Sequence, residues 1–333
     1  MAADPVLQVR DLSVHFPTRE GVARVVDSLN FDVRQGEVLG LVGESGCGKS
    51  MTALSIMGLL PAGAGAILHG EILLNGRDVA GLSAEAMRKV RGRDVGMVFQ
   101  EPMTALNPLF CVGDQVAEAL RAHQPVGRKE AWARAVDMLR SVGIPSPEQR
   151  ALALPHQLSG GMRQRVMIAM ALICEPSVLI CDEPTTALDV TVQAQVLDLL
   201  RDLRDRRGMA IVFITHDMGV IAEMADRVLV MYAGRKIEDG TTQEVIRAPA
   251  HPYTCGLISS IPAVRADVCD EPEPLPEIPG VVPALTALGP GCAFEPRCAV
   301  AGDPRCKAAV PPMFDVGGGH AAACWLKAGD ATP

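Results

Sequence analysis

The stretch Gly43-Glu44-Ser45-Gly46-Cys47-Gly48-Lys49-Ser50 constrains this chain more than any other. It reads G-x-x-x-x-G-K-S, the pattern of a loop that cradles phosphates. The apolar segment Val38-Leu39-Gly40-Leu41-Val42 precedes it and is short enough for a buried strand. Met51-Thr52-Ala53-Leu54-Ser55-Ile56-Met57 follows, with helical composition and no proline. Strand, glycine loop and helix together turn backbone N–H groups onto phosphate oxygens and add the positive end of a helix. Lys49 is expected to reach the β- and γ-phosphates and the Ser50 hydroxyl to ligate Mg²⁺. Gly43, Ser45, Gly46, Cys47, Gly48, Lys49, Ser50 and Met51 are therefore the candidate nucleotide contacts.

At 333 residues the chain has room for two domains, or for one large domain with an appendage. Hydrophobic residues make up 48% but aromatics only 3%, so the expected core is aliphatic. A net charge of −8 argues against a broad nucleic-acid surface, which would be basic, though a local basic patch stays open. The N-terminus carries no basic n-region or apolar h-region, so no secretory signal is expected. The longest apolar run, Val166 to Cys174, falls well short of the ~20 residues that span a bilayer. A cytoplasmic setting is the expectation, and ten cysteines there do not suit a disulfide framework.

Residues 6–16, 31–34, 71–75 and 95–99 read as strands. Phe16, which ends the first, would either stack on an adenine ring or simply pack. From Glu101 to about Cys174 the pattern turns helical, with apolar positions at helical spacing over 114–122 and 130–142. Alternation of strand and helix resumes with Val178–Cys181, 190–206, 210–215 and 227–232. The expected organisation is an α/β domain over 1–245 with a helical insert at about 101–174, then a small irregular module over 246–333. Residues 262–290 are rich in proline and acidic groups and read as extended.

Val178-Leu179-Ile180-Cys181 delivers Asp182 and Glu183 at its end. Asp182 suits a Mg²⁺ site, and Glu183 is placed to orient and deprotonate an attacking water. Gln100 and His216 follow two other apolar strands and would point to the same edge of a parallel sheet, where ligands bind. Gln100 offers a carbonyl for Mg²⁺ or water, and His216 an N–H for the γ-phosphate. Ser159-Gly160-Gly161 puts a hydroxyl and glycines at a helix start, a second anion-binding arrangement. One nucleotide has no use for two cradles on one chain, whereas a second copy facing the first does.

The set Gly43–Ser50, Gln100, Leu158–Met162, Asp182–Glu183, Thr186-Ala187-Leu188-Asp189 and His216 resembles an ABC-transporter ATPase subunit, motif for motif and in order, over residues 6 to about 240. The resemblance implies a P-loop α/β core with an antiparallel β subdomain and helical insert. It also implies ATP held between one chain's Gly43–Ser50 loop and the other chain's Ser159, Gly160 and Gly161, with Asp189 beside the site. Glu183 becomes the general base, His216 the γ-phosphate clamp, and Gln100 the sensor of Mg²⁺ and water that signals to membrane subunits. Met162 stands where the commonest signature has Gln, a change shared by the oligopeptide/dipeptide branch. Gln100–Pro108, Gly161–Met170 and His251-Pro252-Tyr253-Thr254 also resemble that branch. The implied protein is a peripheral subunit on the cytoplasmic face of the membrane that powers uptake of peptides or related solutes. Its implied partners are a second ATPase subunit, two permease subunits and, indirectly, an extracytoplasmic solute-binding protein, with no nucleic acid. The rival class is a soluble ABC ATPase acting on nucleic acid or ribosomes. It usually carries a coiled-coil insertion or two cassettes in one chain, and neither is present.

Cys292, Cys298, Cys306 and Cys324 gather in a tail with few apolar residues. Four thiolates can hold zinc or a [4Fe–4S] cluster. Zinc sites usually show a tight C-x2–4-C knuckle, which is missing. The irregular spacing and the Pro296-Arg297-Cys298 context resemble the C-terminal iron–sulfur module of some oligopeptide-transporter ATPases, which implies a cluster. ATP binding at Lys49 is expected to be independent of this tail, because the loop lies in the other domain.

Overall fold

The computed structural model describes residues 4–61, 66–101, 105–186, 188–261 and 277–328. Residues 102–104 of the branch-like run, Ala187, and 262–276 of the acidic proline-rich stretch lie outside them. Two sheets organise the chain. Five central strands are near-continuous apolar runs because both of their faces are covered, one by helices and the other largely by the antiparallel sheet. They are β3 (Val38–Val42), β6 (Val95–Val98), β7 (Val178–Asp182), β8 (Ala210–Ile214) and β9 (Arg227–Tyr232). They lie parallel in the order β9-β3-β8-β7-β6. β10 (Arg235–Thr241) then pairs antiparallel with β9.

The second sheet is antiparallel, with β1 (Pro5–Thr18), β2 (Gly21–Arg34), β4 (Ile67–Leu74) and β5 (Arg77–Asp78) in the order β2-β1-β4-β5. Only 31–34 of β2 was legible as strand. Its earlier half is interrupted by Asp27, Ser28 and Asn30, and the β1–β2 register shifts where Asp11 and Ser28 take φ values of 49° and 52°. Bulges of this kind break the two-residue alternation on which strand reading depends. Helices Val112–Arg121, Arg128–Ser141 and Gly160–Leu172 form the expected helical insert. They bury Val116, Leu120, Leu139, Val166 and Ile168 in one cluster with Leu179 and Phe213 of the sheet. Among the described residues, no helix is long and apolar enough to cross a membrane.

The tail does not stand apart. β11 (Phe314–Gly317) and β12 (His320–Ala322) form a hairpin, and β12 pairs antiparallel with β10, extending the core sheet to eight strands. Phe294 is buried in the main core cluster. The fully buried Glu238 carboxylate of β10 accepts the N–H groups of Ala250 and His251 at 2.7 and 2.8 Å and lies 2.7 Å from His320 Nε2. A segment with so little to bury gains more from the existing core than from its own side chains.

Candidate nucleotide site

The phosphate loop joins β3 to helix Lys49–Ile56. Gly48, at φ 105°, begins that helix, and a Cβ there would lie 2.4 Å from the Val25 carbonyl oxygen. Only glycine fits. Lys49 is buried and folded back on its own loop, donating to Gly43 O at 2.7 Å and Glu44 O at 3.1 Å. Burial pushes the Cys47 thiol up, against the lowering effect of Lys49.

Because β6, β7 and β8 are parallel neighbours, the residues that follow them converge. Ser50 Oγ donates to Asp182 Oδ1 at 3.1 Å. Burial holds the Asp182 carboxyl above its usual range, with the Ser50 hydrogen bond opposing and Glu183 adding to the shift. A hydroxyl beside a partly desolvated carboxylate is an oxygen donor set that suits Mg²⁺. Glu183 adopts φ 47°, uncommon for a side chain this size. Its Oε2 accepts from Gln100 Nε2 at 2.9 Å and from Thr186 Oγ1 at 3.0 Å, and Oε1 lies 3.2 Å from His216 Nδ1. Three strand ends thus meet on one carboxylate. Thr186, which the sequence presents only within the Thr186–Asp189 motif, is one of the groups that orient Glu183.

The remaining candidate contacts surround this point less directly. Phe16 is half-buried against the core of the antiparallel sheet. Met51 packs there too, directly after the loop. Ser159 caps helix Gly160–Leu172 by accepting the Met162 N–H at 3.3 Å. Ser159 and Gly160 are exposed, and among the described residues they make no hydrogen bond to Gly43–Ser50. Gly161 packs on Val192, where a Cβ would meet Cγ1 at 2.7 Å. Asp189 caps helix Val190–Arg207 by accepting the Val192 N–H at 2.9 Å.

Sequence reasoning missed Arg297, Tyr232 and Tyr253. Tyr253 OH accepts the Glu44 N–H at 2.8 Å, and Arg297 pairs with the Glu44 carboxylate at 2.7 Å. The tail expected to be insulated from the loop is in contact with it. The signals were two neighbours, the Pro252-Tyr253 run and the cysteine beside Arg297, and neither spacing indicates a partner more than two hundred residues away.

Cys292, Cys298, Cys306 and Cys324 line one cavity together with His251, Phe294 and Trp325. None of the four is in a disulfide. Burial raises the Cys292 and Cys324 thiols, and charge on other cysteines of the cluster adds to it. Among the described residues, no group of three or more His, Cys, Asp or Glu side chains is arranged to hold a metal ion.

The family description "ABC transporter" matches residues 26–186, and "Oligopeptide/dipeptide transporter, C-terminal region" matches residues 237–306. The chain is 52% identical over 323 residues to a probable peptide ABC transporter ATP-binding protein of Sinorhizobium fredii, covering 97% of this chain and 95% of that one. It is 46% identical to the dipeptide transport ATP-binding protein DppD of Bacillus subtilis, with 97% and 95% covered. It is 50% identical to the oligopeptide transport ATP-binding protein OppD of Mycobacterium tuberculosis, covering 96% of this chain and 52% of OppD. Among solved structures it resembles a dimeric ATP-binding cassette in a post-hydrolysis state bound to ADP and Pi. That match has a TM-score of 0.63 and 26% identity, covering 71% of this chain and 98% of the cassette. The cbiO1 subunit of a Clostridium perfringens ABC transporter complex matches with a TM-score of 0.62 and 29% identity, covering 74% of this chain and 92% of cbiO1. This chain belongs to the ATP-binding proteins of the oligopeptide/dipeptide ABC transporter family.

Proposed function

We propose that this chain hydrolyses ATP to drive uptake of peptides or related solutes through membrane permease subunits. The observation that carries the reading is Glu183, a carboxylate held by Gln100, Thr186 and His216 at the end of β7, beside the Ser50–Asp182 pair. ATP enters with its phosphates on the Gly43–Ser50 loop, and Lys49 leaves its loop carbonyls for the β- and γ-phosphates. Glu183 takes a proton from the attacking water while Gln100 and His216 fix its direction. Mg²⁺ held by Ser50, Asp182 and Gln100 would supply charge neutralisation for the phosphates. Ser159 and Gly160, exposed on the helical insert, support a site completed by the same loop of a second ATPase subunit, the arrangement suggested by the dimeric cassette. Peptide as cargo is supported by the names of relatives covered nearly end to end. The membrane's cytoplasmic face is the setting such partners require. Turnover in the assembled transporter with Glu183→Gln tests the reading: retained ATP binding with lost hydrolysis supports it, and wild-type turnover overturns it.

The domain limits we propose are 1–245 for the ATPase and 246–333 for the tail. Four cysteines on one cavity wall support a [4Fe–4S] cluster there, with zinc as the competing occupant. Binding would require the thiols to close up on the group.

A further inference from the structure

In a chain with only two tyrosines, one bonds the start of the phosphate loop directly and the other bonds the arginine that holds it. Tyr253 OH accepts the Glu44 N–H at 2.8 Å, and Tyr232 OH accepts from Arg297 Nη1 at 3.3 Å. The two rings and Phe294 of the tail form one buried cluster, with centroids 4.8 to 5.4 Å apart. Arg297 lies in the tail, next to Cys298, and its side chain is only 6% exposed. It grips Glu44 with both arms, Nη1 to Oε2 at 2.7 Å and Nη2 to Oε1 at 3.1 Å. Its other donors go to Pro279 O at 2.9 Å and Ile278 O at 3.2 Å. A planar fork with every arm occupied has one orientation.

Glu44 is thereby held at its N–H and its carboxylate by groups outside the loop, while its carbonyl accepts Lys49 Nζ at 3.1 Å. A carboxylate on a loop that receives a triphosphate repels it and competes for the lysine. Paired with a buried guanidinium it does neither.

We propose that Arg297 is a positioning residue for the nucleotide, through which the cysteine-bearing tail sets the ATP affinity of its own chain's phosphate loop. The proposal rests on the reading that Gly43–Ser50 holds ATP. The coupling is reciprocal, so bound ATP must tighten the tail on the loop.

The test is ATP titration of the full-length chain. Arg297→Met should weaken ATP binding about tenfold, or about 1.4 kcal/mol. Adding Glu44→Gln to it should return the affinity to within about threefold of the parent, because the unpaired charge is gone. Arg297→Lys should recover only part, since it lacks the fork. In the unaltered protein, ATP should slow amide exchange across residues 292–298, a readout that needs no variant to fold. Wild-type affinity in Arg297→Met, a defect that Glu44→Gln leaves unchanged in a folded double variant, or amide exchange indifferent to ATP would each overturn the proposal. Lys49→Ala separates the two readings. If it binds ATP normally, the loop assignment fails. If it loses ATP while Arg297→Met does not, only the coupling fails.

Discussion

His216 Nδ1 lies 3.2 Å from Glu183 Oε1, joining the residues that follow β8 and β7. The same carboxylate takes Gln100 from the end of β6, so three neighbouring strands present their chemistry to one point. A γ-phosphate and a water placed there would meet a carboxylate that is already oriented.

That geometry separates binding from chemistry. Lys49→Ala should weaken ATP binding, because it removes a contact made in the ground state. Glu183→Gln keeps the hydrogen-bonding shape and loses the base, so binding should persist while turnover falls roughly 10²–10⁴-fold. Equilibrium ATP titration and single-turnover hydrolysis distinguish the two. Near wild-type hydrolysis by Glu183→Gln would remove the base assignment.

The exposed position of Ser159 makes a second outcome specific. Ser159→Arg should abolish turnover at the site whose lysine lies on the other chain, and leave nucleotide binding at its own Lys49 unchanged. Nucleotide titration alongside hydrolysis in the assembled transporter checks this. A folded variant that stops binding at its own loop would argue against action across a dimer.

Protein purified without oxygen should be brown and contain about four irons per chain, the content of a Cys₄-bound [4Fe–4S] cluster. Removing any one of Cys292, Cys298, Cys306 and Cys324 should bleach it and expose the tail to protease. Stoichiometric zinc without iron would favour the structural-zinc alternative. A preparation with no metal would dismiss both.

Tyr253 supplies a pH test. Its phenol is fully buried, and burial pushes its ionisation above the ordinary value near 10, although the Glu44 N–H pulls the other way. The unfolded chain therefore loses this proton first as pH rises. Stability tied to Tyr253 is complete below about pH 10 and declines above it. Tyr253→Phe should cost about 1 kcal/mol near neutrality, from the lost acceptor, and should flatten that alkaline decline. Urea unfolding of both proteins between neutral and alkaline pH measures it. Equal slopes would show that Tyr253 does not contribute.

The sequence by itself determined the loop, the central strands and the polar residues at their ends. Each is written in contiguous residues: glycines at fixed offsets before Lys49, and apolar runs such as Val178–Cys181 that must be buried on both faces. A parallel sheet then brings Gln100, Glu183 and His216 together almost automatically, because every such strand ends on the same edge. Tertiary structure alone decided the rest. The first half of β2 is strand because β1 pairs with it through bulges, which no alternation announces. β12 joins β10, and Arg297 finds Glu44 across 253 residues, because a tail too poor to build a core settles on one already there. Pairings at that range follow from shape and charge matching between folded surfaces. No local periodicity records them.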